Sequence, residues 1–246
     1  FDIKEEEVPE FVKSMRLLNI QGCNVTMPNK TAAAQNMDEL SPAAELIGAV
    51  NTIVNRDGKL YGHITDGEGF VANLKDHGIG VEGKDIVIFG AGGAATAIQV
   101  QCALDGAREI SIFNIKDAFF ERTLQTAEKI KKAVPECVVN VYDIADTAKM
   151  TEEIQSSDIF ANATIVGMKP MDDQSVVKDL SAFRPGLVVA DAVYNPEETK
   201  LLREAKEAGC TCVGGKGMLL WQGVAAFKLY TGQDMPVEDV KKLFFS

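Results

Sequence analysis

A glycine-rich turn between an apolar strand and a helix is the feature that most constrains the fold of this chain. The segment Gly90-Ala-Gly-Gly-Ala-Ala95 follows an apolar run at residues 85–89 and opens a helical pattern at residues 94–103. Glycines let a backbone approach a phosphate group closely, and the free N–H groups at the start of a helix attract negative charge. Strand, turn and helix together predict a binding site for a dinucleotide.

Strands and helices alternate regularly through the rest of the chain. We predict strands at residues 85–89, 109–113, 138–142, 159–161 and 187–190, and helices at residues 94–103, 119–134, 148–155 and 197–208. Strands joined through helices form parallel sheets, and the connections between them are right-handed. The pattern predicts an α/β fold with a doubly wound, Rossmann-type parallel sheet.

The segment before this pattern predicts a second, smaller α/β unit. Its expected elements are a helix at residues 7–18, a strand at 22–26, a helix from Pro28 to residue 40, and a hairpin at 50–58. The helical stretch from residue 218 onwards is expected to pack back onto this unit across a cleft. We therefore predict a substrate domain formed by residues 1–67 and 222–246, and a dinucleotide-binding domain formed by residues 68–221.

Charge and cysteine content exclude several classes of partner. The 246 residues carry a formal net charge of −11, which repels nucleic acid and anionic lipid. No apolar run approaches the ~20 residues that a membrane helix needs. The five cysteines and two histidines show neither a disulfide framework nor the spacing of metal ligands. We expect a cytoplasmic protein that binds a small molecule and has no metal, nucleic-acid or membrane partner.

The end of the second strand of the large sheet is expected to contact the adenosine ribose. The sequence there is Asn114-Ile115-Lys116-Asp117, with Asp117 about 22 residues past the turn. A carboxylate at this position accepts hydrogen bonds from the ribose hydroxyls and repels a 2′-phosphate, which favours NAD. The ammonium of Lys116 could pair with that phosphate, so NADP remains open. A solvated loop would also account for both residues.

Polar residues collect at strand ends in the smaller unit. Thr26 ends a strand, Lys30 lies in the first turn of the next helix, and Asp66 precedes another helix. A cation is electrostatically disfavoured at a helix N-terminus, which suits a lysine that transfers protons. An ordinary surface lysine and a helix-capping aspartate are the alternatives. Together with Asn51, these residues predict a ligand site, because strand ends facing a cleft bind ligands in α/β proteins.

Six motifs follow one another along nearly the whole chain. They are Asn24-Val-Thr-Met-Pro-Asn-Lys30, Gly48-Ala-Val-Asn-Thr52, Thr65-Asp-Gly67, Gly90-Ala-Gly-Gly-Ala94, Asn162-Ala-Thr164 with Val166-Gly-Met168, and Gly217-Met-Leu-Leu-Trp-Gln222. On these motifs the chain resembles the shikimate/quinate dehydrogenase family. Residues 114–121 and 166–170 resemble the branch that accepts both quinate and shikimate. The resemblance implies reversible NAD(P)-dependent hydride transfer at the C3 ring alcohol of shikimate or quinate, in the chorismate pathway to aromatic amino acids.

The resemblance also implies roles for single residues. Lys30 would take the hydroxyl proton as hydride leaves the same carbon, and Asp66 would orient both lysine and substrate. Thr26, Asn51 and Gln222 would hydrogen-bond the ring hydroxyls. The dinucleotide would be held by Ala91, Gly92, Gly93, Ala94, Asn114, Ile115, Lys116, Asp117, Ile165, Ala192, Val193, Tyr194, Asn195 and Gly215. A turn before Pro196 would explain Tyr194 and Asn195 nearly as well.

The chain departs from the family pattern in two places. The family begins with a further strand and a Ser-x-Ser-Pro segment that binds the substrate carboxylate, and we expect this N-terminal segment to be missing here. Ile64 replaces the asparagine that usually precedes the Thr65-Asp-Gly67 motif. Two other functions stay open: a nucleotide-binding module without catalysis, and a related dehydrogenase acting on an amino acid or a folate. A homodimer is an assembly that the resemblance allows.

Overall fold

A computed structural model describes residues 1–244, including all their side chains except those of residues 118 and 119. The first part of the chain forms α1 (Val8–Leu17), β1 (Gly22–Asn24), α2 (Lys30–Ala34), β2 (Glu39–Leu40), α3 (Pro42–Ile47), β3 (Thr52–Arg56), β4 (Lys59–His63) and α4 (Asp66–Asp76). The second part forms β5 (Asp85–Phe89), α5 (Gly93–Leu104), β6 (Glu109–Asn114), α6 (Ala118–Ala133), β7 (Val138–Asp143), α7 (Thr147–Ser156), β8 (Ile159–Asn162), β9 (Val188–Asp191), α8 (Lys200–Glu207), β10 (Thr211–Val213), α9 (Gly215–Thr231) and α10 (Val237–Phe244). Residues 245 and 246 of the predicted substrate domain lie outside the described residues.

The smaller sheet has the strand order β1-β3-β4-β2. The predicted hairpin is confirmed: β3 and β4 pair antiparallel, and Asp57 and Gly58 turn the chain with positive φ angles of 54° and 87°. β1 pairs antiparallel with β3, and β2 lies parallel to β4. The last residue of β1, the first of β3 and the last of β4, which are Asn24, Thr52 and His63, are therefore register neighbours at one end of the sheet.

The helix predicted from Pro28 to residue 40 is wrong at both ends. The structure has only the short helix α2 there. It ends early because Asn36 Nδ2 donates to Ala32 O at 2.8 Å, which satisfies a carbonyl that a longer helix would pair with a backbone N–H. Asp38 N–H then donates to Leu60 O at 3.0 Å, and the chain continues as β2 beside β4. Pairing with a distant strand has overridden local helical propensity at this point.

The larger sheet has six parallel strands in the order β10-β9-β8-β5-β6-β7, which confirms the predicted doubly wound fold. In β5, residues 86–89 are all buried, as expected for a strand covered by helices on both faces. β6 lies on one side of β5 and β8 on the other, so the connections diverge beyond the carboxyl end of β5. Ligands of doubly wound sheets bind at such a switch point. The sequence did not predict β10.

Helix α4 packs backbone against backbone with two other helices. A Cβ atom at Gly67 would lie 2.3 Å from the Ala97 carbonyl oxygen of α5, and one at Gly69 would lie 2.6 Å from the Gln222 nitrogen of α9. Only glycine permits such close approach. Asp66, the first residue of α4, is therefore held in a fixed position relative to both helices. Within the described part of the chain, no helix is long and apolar enough to cross a bilayer.

Candidate active site

A cleft of about 470 Å³ lies where the carboxyl ends of β5 and β9 face the smaller sheet. It is lined by Asn24, Val25, Thr26, Lys30, Asn51, Asp66, Ala94, Ala192, Tyr194, Gly215, Met218, Leu219 and Gln222. The cleft brings together every residue predicted to be catalytic or to bind substrate. It also contains four of the predicted cofactor residues, namely Ala94, Ala192, Tyr194 and Gly215. The predicted substrate residues and these four cofactor residues therefore share one space.

Lys30 and Asp66 form an ion pair in this cleft. Lys30 Nζ lies 2.6 Å from Asp66 Oδ2, and each side chain is 19% exposed. Both residues begin helices, Lys30 at the start of α2 and Asp66 at the start of α4. Val50 N–H donates to Lys30 O at 2.9 Å, which ties the start of α2 to the segment before β3. A hydrogen-bonded amine and carboxylate that are partly accessible can hold, accept and return a proton.

Asn51 is held by a buried hydrogen-bond network at the edge of the cleft. Its Oδ1 accepts from Thr65 N–H and from the Thr52 hydroxyl, both at 2.9 Å. Its Nδ2 donates to Thr65 Oγ1 at 3.1 Å. The Thr65 hydroxyl also lies 3.5 Å from Gln222 Oε1, and Gln222 Nε2 donates to Leu219 O at 3.0 Å. Sequence reasoning missed the supporting role of Thr65, although Thr65 begins the Thr65-Asp-Gly67 motif.

The glycine turn leaves open space at the start of α5. Gly90 has a φ of 114°, and a Cβ atom there would lie 2.8 Å from Ala163 O. The buried Gln99 side chain donates to Gly90 O at 2.9 Å and fixes the turn. A Cβ at Gly92 or Gly93 would instead meet no protein atom within 4 Å. The open space and the free N–H groups of α5 fit a pyrophosphate group.

The predicted ribose-binding corner lies at the end of β6, outside the cleft lining. Asn114 Nδ2 is buried and has no hydrogen-bond acceptor among the described residues. Ile115 is 61% exposed, and Lys116 and Asp117 are also exposed. On the other side of β5, Ile165 follows β8 and is 65% exposed. These side chains could contact the adenosine half of a dinucleotide.

Four residues in the segment directly after β9 were predicted to bind the cofactor, and only two of them line the cleft. Ala192 and Tyr194 line the cleft, whereas the Val193 side chain is buried and Asn195 lies outside the lining. Gly215 packs beneath them, since a Cβ there would lie 2.6 Å from the carbonyl oxygens of Ala192 and Val193. This packing holds the start of α9 against the segment.

Sequence reasoning missed Asp191, the last residue of β9. Its side chain is buried and accepts hydrogen bonds from Asn162 Nδ2 at 2.9 Å, Val193 N–H at 3.0 Å and Thr199 Oγ1 at 2.6 Å. Burial raises the pKa of Asp191 to about 6. The only sequence signal was a charged residue ending an apolar strand. Among the described residues, no three His, Cys, Asp or Glu side chains are grouped as metal ligands.

A Rossmann-type parallel sheet facing a Lys–Asp pair across a cleft defines a nicotinamide-dependent dehydrogenase as the class of protein. Residues 1–53 match the model of the shikimate dehydrogenase substrate binding domain, and residues 215–243 match that of the shikimate 5′-dehydrogenase C-terminal domain. The chain belongs to the shikimate/quinate dehydrogenase family, which confirms the predicted family.

Individual relatives support this membership along the whole chain. The shikimate dehydrogenase (NADP(+)) of Listeria monocytogenes is 48% identical over 245 residues, covering 100% of this chain and 84% of the relative. The quinate/shikimate dehydrogenase of Escherichia coli is 46% identical and covers 99% of this chain and 84% of the relative. The crystal structure of the Listeria monocytogenes shikimate 5-dehydrogenase with shikimate and NAD matches with a TM-score of 0.97, at 48% identity, covering 100% of this chain and 84% of that one.

Proposed function

We propose that this protein is a quinate/shikimate dehydrogenase that interconverts the C3 alcohol and ketone of shikimate or quinate with NAD(P), in the chorismate pathway. The Lys30–Asp66 pair carries the proposal, because its amine and carboxylate are 2.6 Å apart inside a cleft that also reaches the start of α5. Proton transfer and dinucleotide binding can then occur side by side. The named activities of the relatives from Listeria and Escherichia support the same substrates.

Lys30 and Asp66 divide the acid–base work. When bound, the nicotinamide ring supplies the hydride acceptor for alcohol oxidation and the donor for ketone reduction. In oxidation Lys30 first gives one proton to solvent, and its neutral amine then takes the proton of the ring hydroxyl; in reduction the ammonium returns a proton to the forming alcohol. Asp66 Oδ2 accepts a hydrogen bond from Nζ and holds the amine toward the substrate. Lys30 is the first residue of α2 and Asp66 the first residue of α4, so the helices fix the backbone positions from which the two side chains meet.

The remaining cleft residues suit a ring that carries several hydroxyl groups. Thr26, Asn51 and Gln222 offer one hydroxyl and two amides around the ion pair. The hydrogen bonds to Thr65 limit the movement of the Asn51 amide, which lines the cleft. Val25, Met218 and Leu219 supply an apolar surface for the ring carbons. The mixture of one apolar side and several polar groups is typical of small-molecule sites.

The proposed cofactor is NAD, with NADP as the alternative. Gly92, Gly93 and the start of α5 would hold the pyrophosphate, and Asn114 and Ile115 at the end of β6 would contact the adenosine half. Asp117 would accept from the ribose hydroxyls and disfavour a 2′-phosphate. The relatives support both cofactors, since one is named for NADP(+) and a crystal structure contains NAD.

We also propose the domain division of residues 1–67 with 222–246, and 68–221. Both boundaries fall inside helices, at α4 and at α9, which would make these two helices the joint between the domains.

A cytoplasmic location is supported by the five free cysteines, because thiols stay reduced in that compartment. A homodimer stays a prediction.

The test is absorbance of reduced nicotinamide when purified protein is mixed with quinate or shikimate and with NAD or NADP, in all four combinations. Reduction in at least one pair is expected, and the more efficient dinucleotide decides the cofactor. No reduction in any pair, with a dinucleotide bound in calorimetry, would favour the module without catalysis. Turnover of an amino acid or a folate substrate instead would favour the other dehydrogenase.

A further inference from the structure

Two buried side chains stand next to each other where β8 and β9 end. Asn162 and Asp191 are register partners in the sheet and are 1% and 2% exposed. Asn162 Nδ2 donates to Asp191 Oδ1 at 2.9 Å. Both strands end at the carboxyl side of the sheet, and the segment after β9 lines the cleft through Ala192 and Tyr194. The pair therefore lies directly beneath two segments proposed to contact the dinucleotide.

Asn162 organises the segment after β8. Its Oδ1 accepts from Thr164 N–H at 3.1 Å and from the Thr164 hydroxyl at 2.7 Å. Its Nδ2 also donates to Val166 O at 3.1 Å, and Val166 N–H donates to Thr164 Oγ1 at the same distance. Ile165, which is 65% exposed, is the residue that this turn presents.

Asp191 organises the segment after β9. Val193 N–H donates to Asp191 Oδ1 at 3.0 Å, so the carboxylate fixes the residue between Ala192 and Tyr194. The Thr199 hydroxyl, fully buried, donates to Oδ2 at 2.6 Å, and Leu202 N–H donates to that hydroxyl at the start of α8. One carboxylate thus connects β8, the cleft segment and α8.

We propose that Asp191 is a positioning residue for dinucleotide binding, acting by holding the segments after β8 and β9 at a fixed separation. The proposal rests on the proposed function, because the bound group is the dinucleotide. The carboxylate serves only as an acceptor, and three donors converge on it. An apolar residue at this position would leave these buried donors unpaired, so both segments would rearrange to find acceptors.

The test compares two alanine variants of the same sheet by calorimetric titration with NAD. Asp191→Ala removes the three contacts, and we expect the Kd for NAD to rise about tenfold to a hundredfold. Asp158→Ala is the control, since Asp158 also accepts from a backbone N–H and a side chain, those of Asp85 and Lys84, at the opposite end of β8. The control is expected to lower Tm and leave the Kd unchanged.

A conservative substitution separates positioning from general structural support. Asp191→Asn keeps an oxygen that can accept from Asn162 and Val193, so it is expected to restore most of the affinity. The KM for NAD should rise in Asp191→Ala more than the KM for shikimate. If Asp191→Ala does not fold, Thr199→Val replaces it, with Thr199→Ser as the variant that keeps the hydroxyl.

The outcomes distinguish this proposal from the proposed function. Wild-type affinity for NAD in folded Asp191→Ala, or in Thr199→Val where the first variant does not fold, overturns the positioning role alone. Equal losses of affinity in Asp191→Ala and Asp158→Ala also overturn it, because they would indicate a general effect of sheet stability. If the wild-type protein binds neither NAD nor NADP, the proposed function fails first and this inference fails with it.

Discussion

Adding one methyl group at two positions of the glycine turn is expected to give opposite results. At Gly90 the backbone has a φ of 114°, and the new Cβ would lie 2.8 Å from the Ala163 carbonyl oxygen. At Gly92 the φ is −73°, a value that alanine adopts freely, and no protein atom lies within 4 Å of the new Cβ. Gly90→Ala should therefore damage the fold, and Gly92→Ala should damage only binding.

The expected magnitudes follow from this geometry. A side chain held at a positive φ costs about 1–3 kcal/mol, before the contact with Ala163 is added. In a chain of this size, that lowers Tm by roughly 2–12 °C. Gly92→Ala reduces the entropy of the unfolded chain, which stabilises by about 0.4–1 kcal/mol, but alanine is a poorer N-cap than glycine. The two effects nearly cancel, so the free energy of unfolding should stay close to that of the wild-type protein.

Urea unfolding and calorimetric titration with NAD separate the two effects. Gly92→Ala should raise the Kd for NAD about tenfold or more, because its methyl group occupies the space where the backbone would meet the pyrophosphate. Gly80→Ala is the matched control, since Gly80 is exposed, has open space at its Cβ and lies far from the cleft. Wild-type affinity in Gly92→Ala, or wild-type stability in Gly90→Ala, would refute the reasoning.

Three further predictions concern charged side chains. Lys30→Ala should lower kcat about 10²- to 10⁴-fold in steady-state assays while NAD still binds. The control Lys13→Ala, at a side chain that is 71% exposed, should have no effect. Unchanged turnover in Lys30→Ala would remove the acid–base role. Asp117→Asn should raise the ratio of kcat/KM with NADP to that with NAD about tenfold, and an unaltered ratio would place cofactor selection elsewhere. Burial raises the pKa of Asp191 to about 6 from an ordinary 3.8, so the folded state binds the proton more tightly. This stabilising contribution is complete below about pH 4 and is lost as pH rises through 6, by roughly 3 kcal/mol in total. The difference in urea unfolding free energy between the wild-type protein and Asp191→Asn should fall by most of that amount from pH 4 to pH 7, and a flat difference would contradict it.

The elements that could be predicted from the sequence are those whose signals are local. The strand at residues 85–89 and the helix after it are both confirmed, because an apolar run, a glycine turn and a helical period coincide there. β2 and β10 were missed, since two- and three-residue strands form only by pairing with β4 and β9. Such pairing depends on residues distant in the sequence and leaves no period of its own.

The residues of the candidate site also divide into those that local sequence signals predicted and those that only the fold reveals. Thr26, Lys30 and Asp66 meet in the cleft as predicted, because Thr26 follows β1 and the other two residues begin α2 and α4. Asp191 could not be identified, since its importance depends on burial and on donors brought from Asn162 and Thr199 by the fold. The sequence alone does not show whether an aspartate is surrounded by water or by three buried hydrogen-bond donors.

The glycine contacts of α4 have a consequence for how this protein could change its substrate. Gly67 and Gly69 bring the backbone of α4 against α5 and α9, so a side chain at either glycine would force these helices apart. Substitutions at the side chains that line the cleft can change the substrate range without disturbing this packing. Leu219 and Tyr194, 44% and 54% exposed, can be exchanged with little effect on the core. Changes of specificity in this chain should therefore accumulate at such positions while the helix framework stays the same.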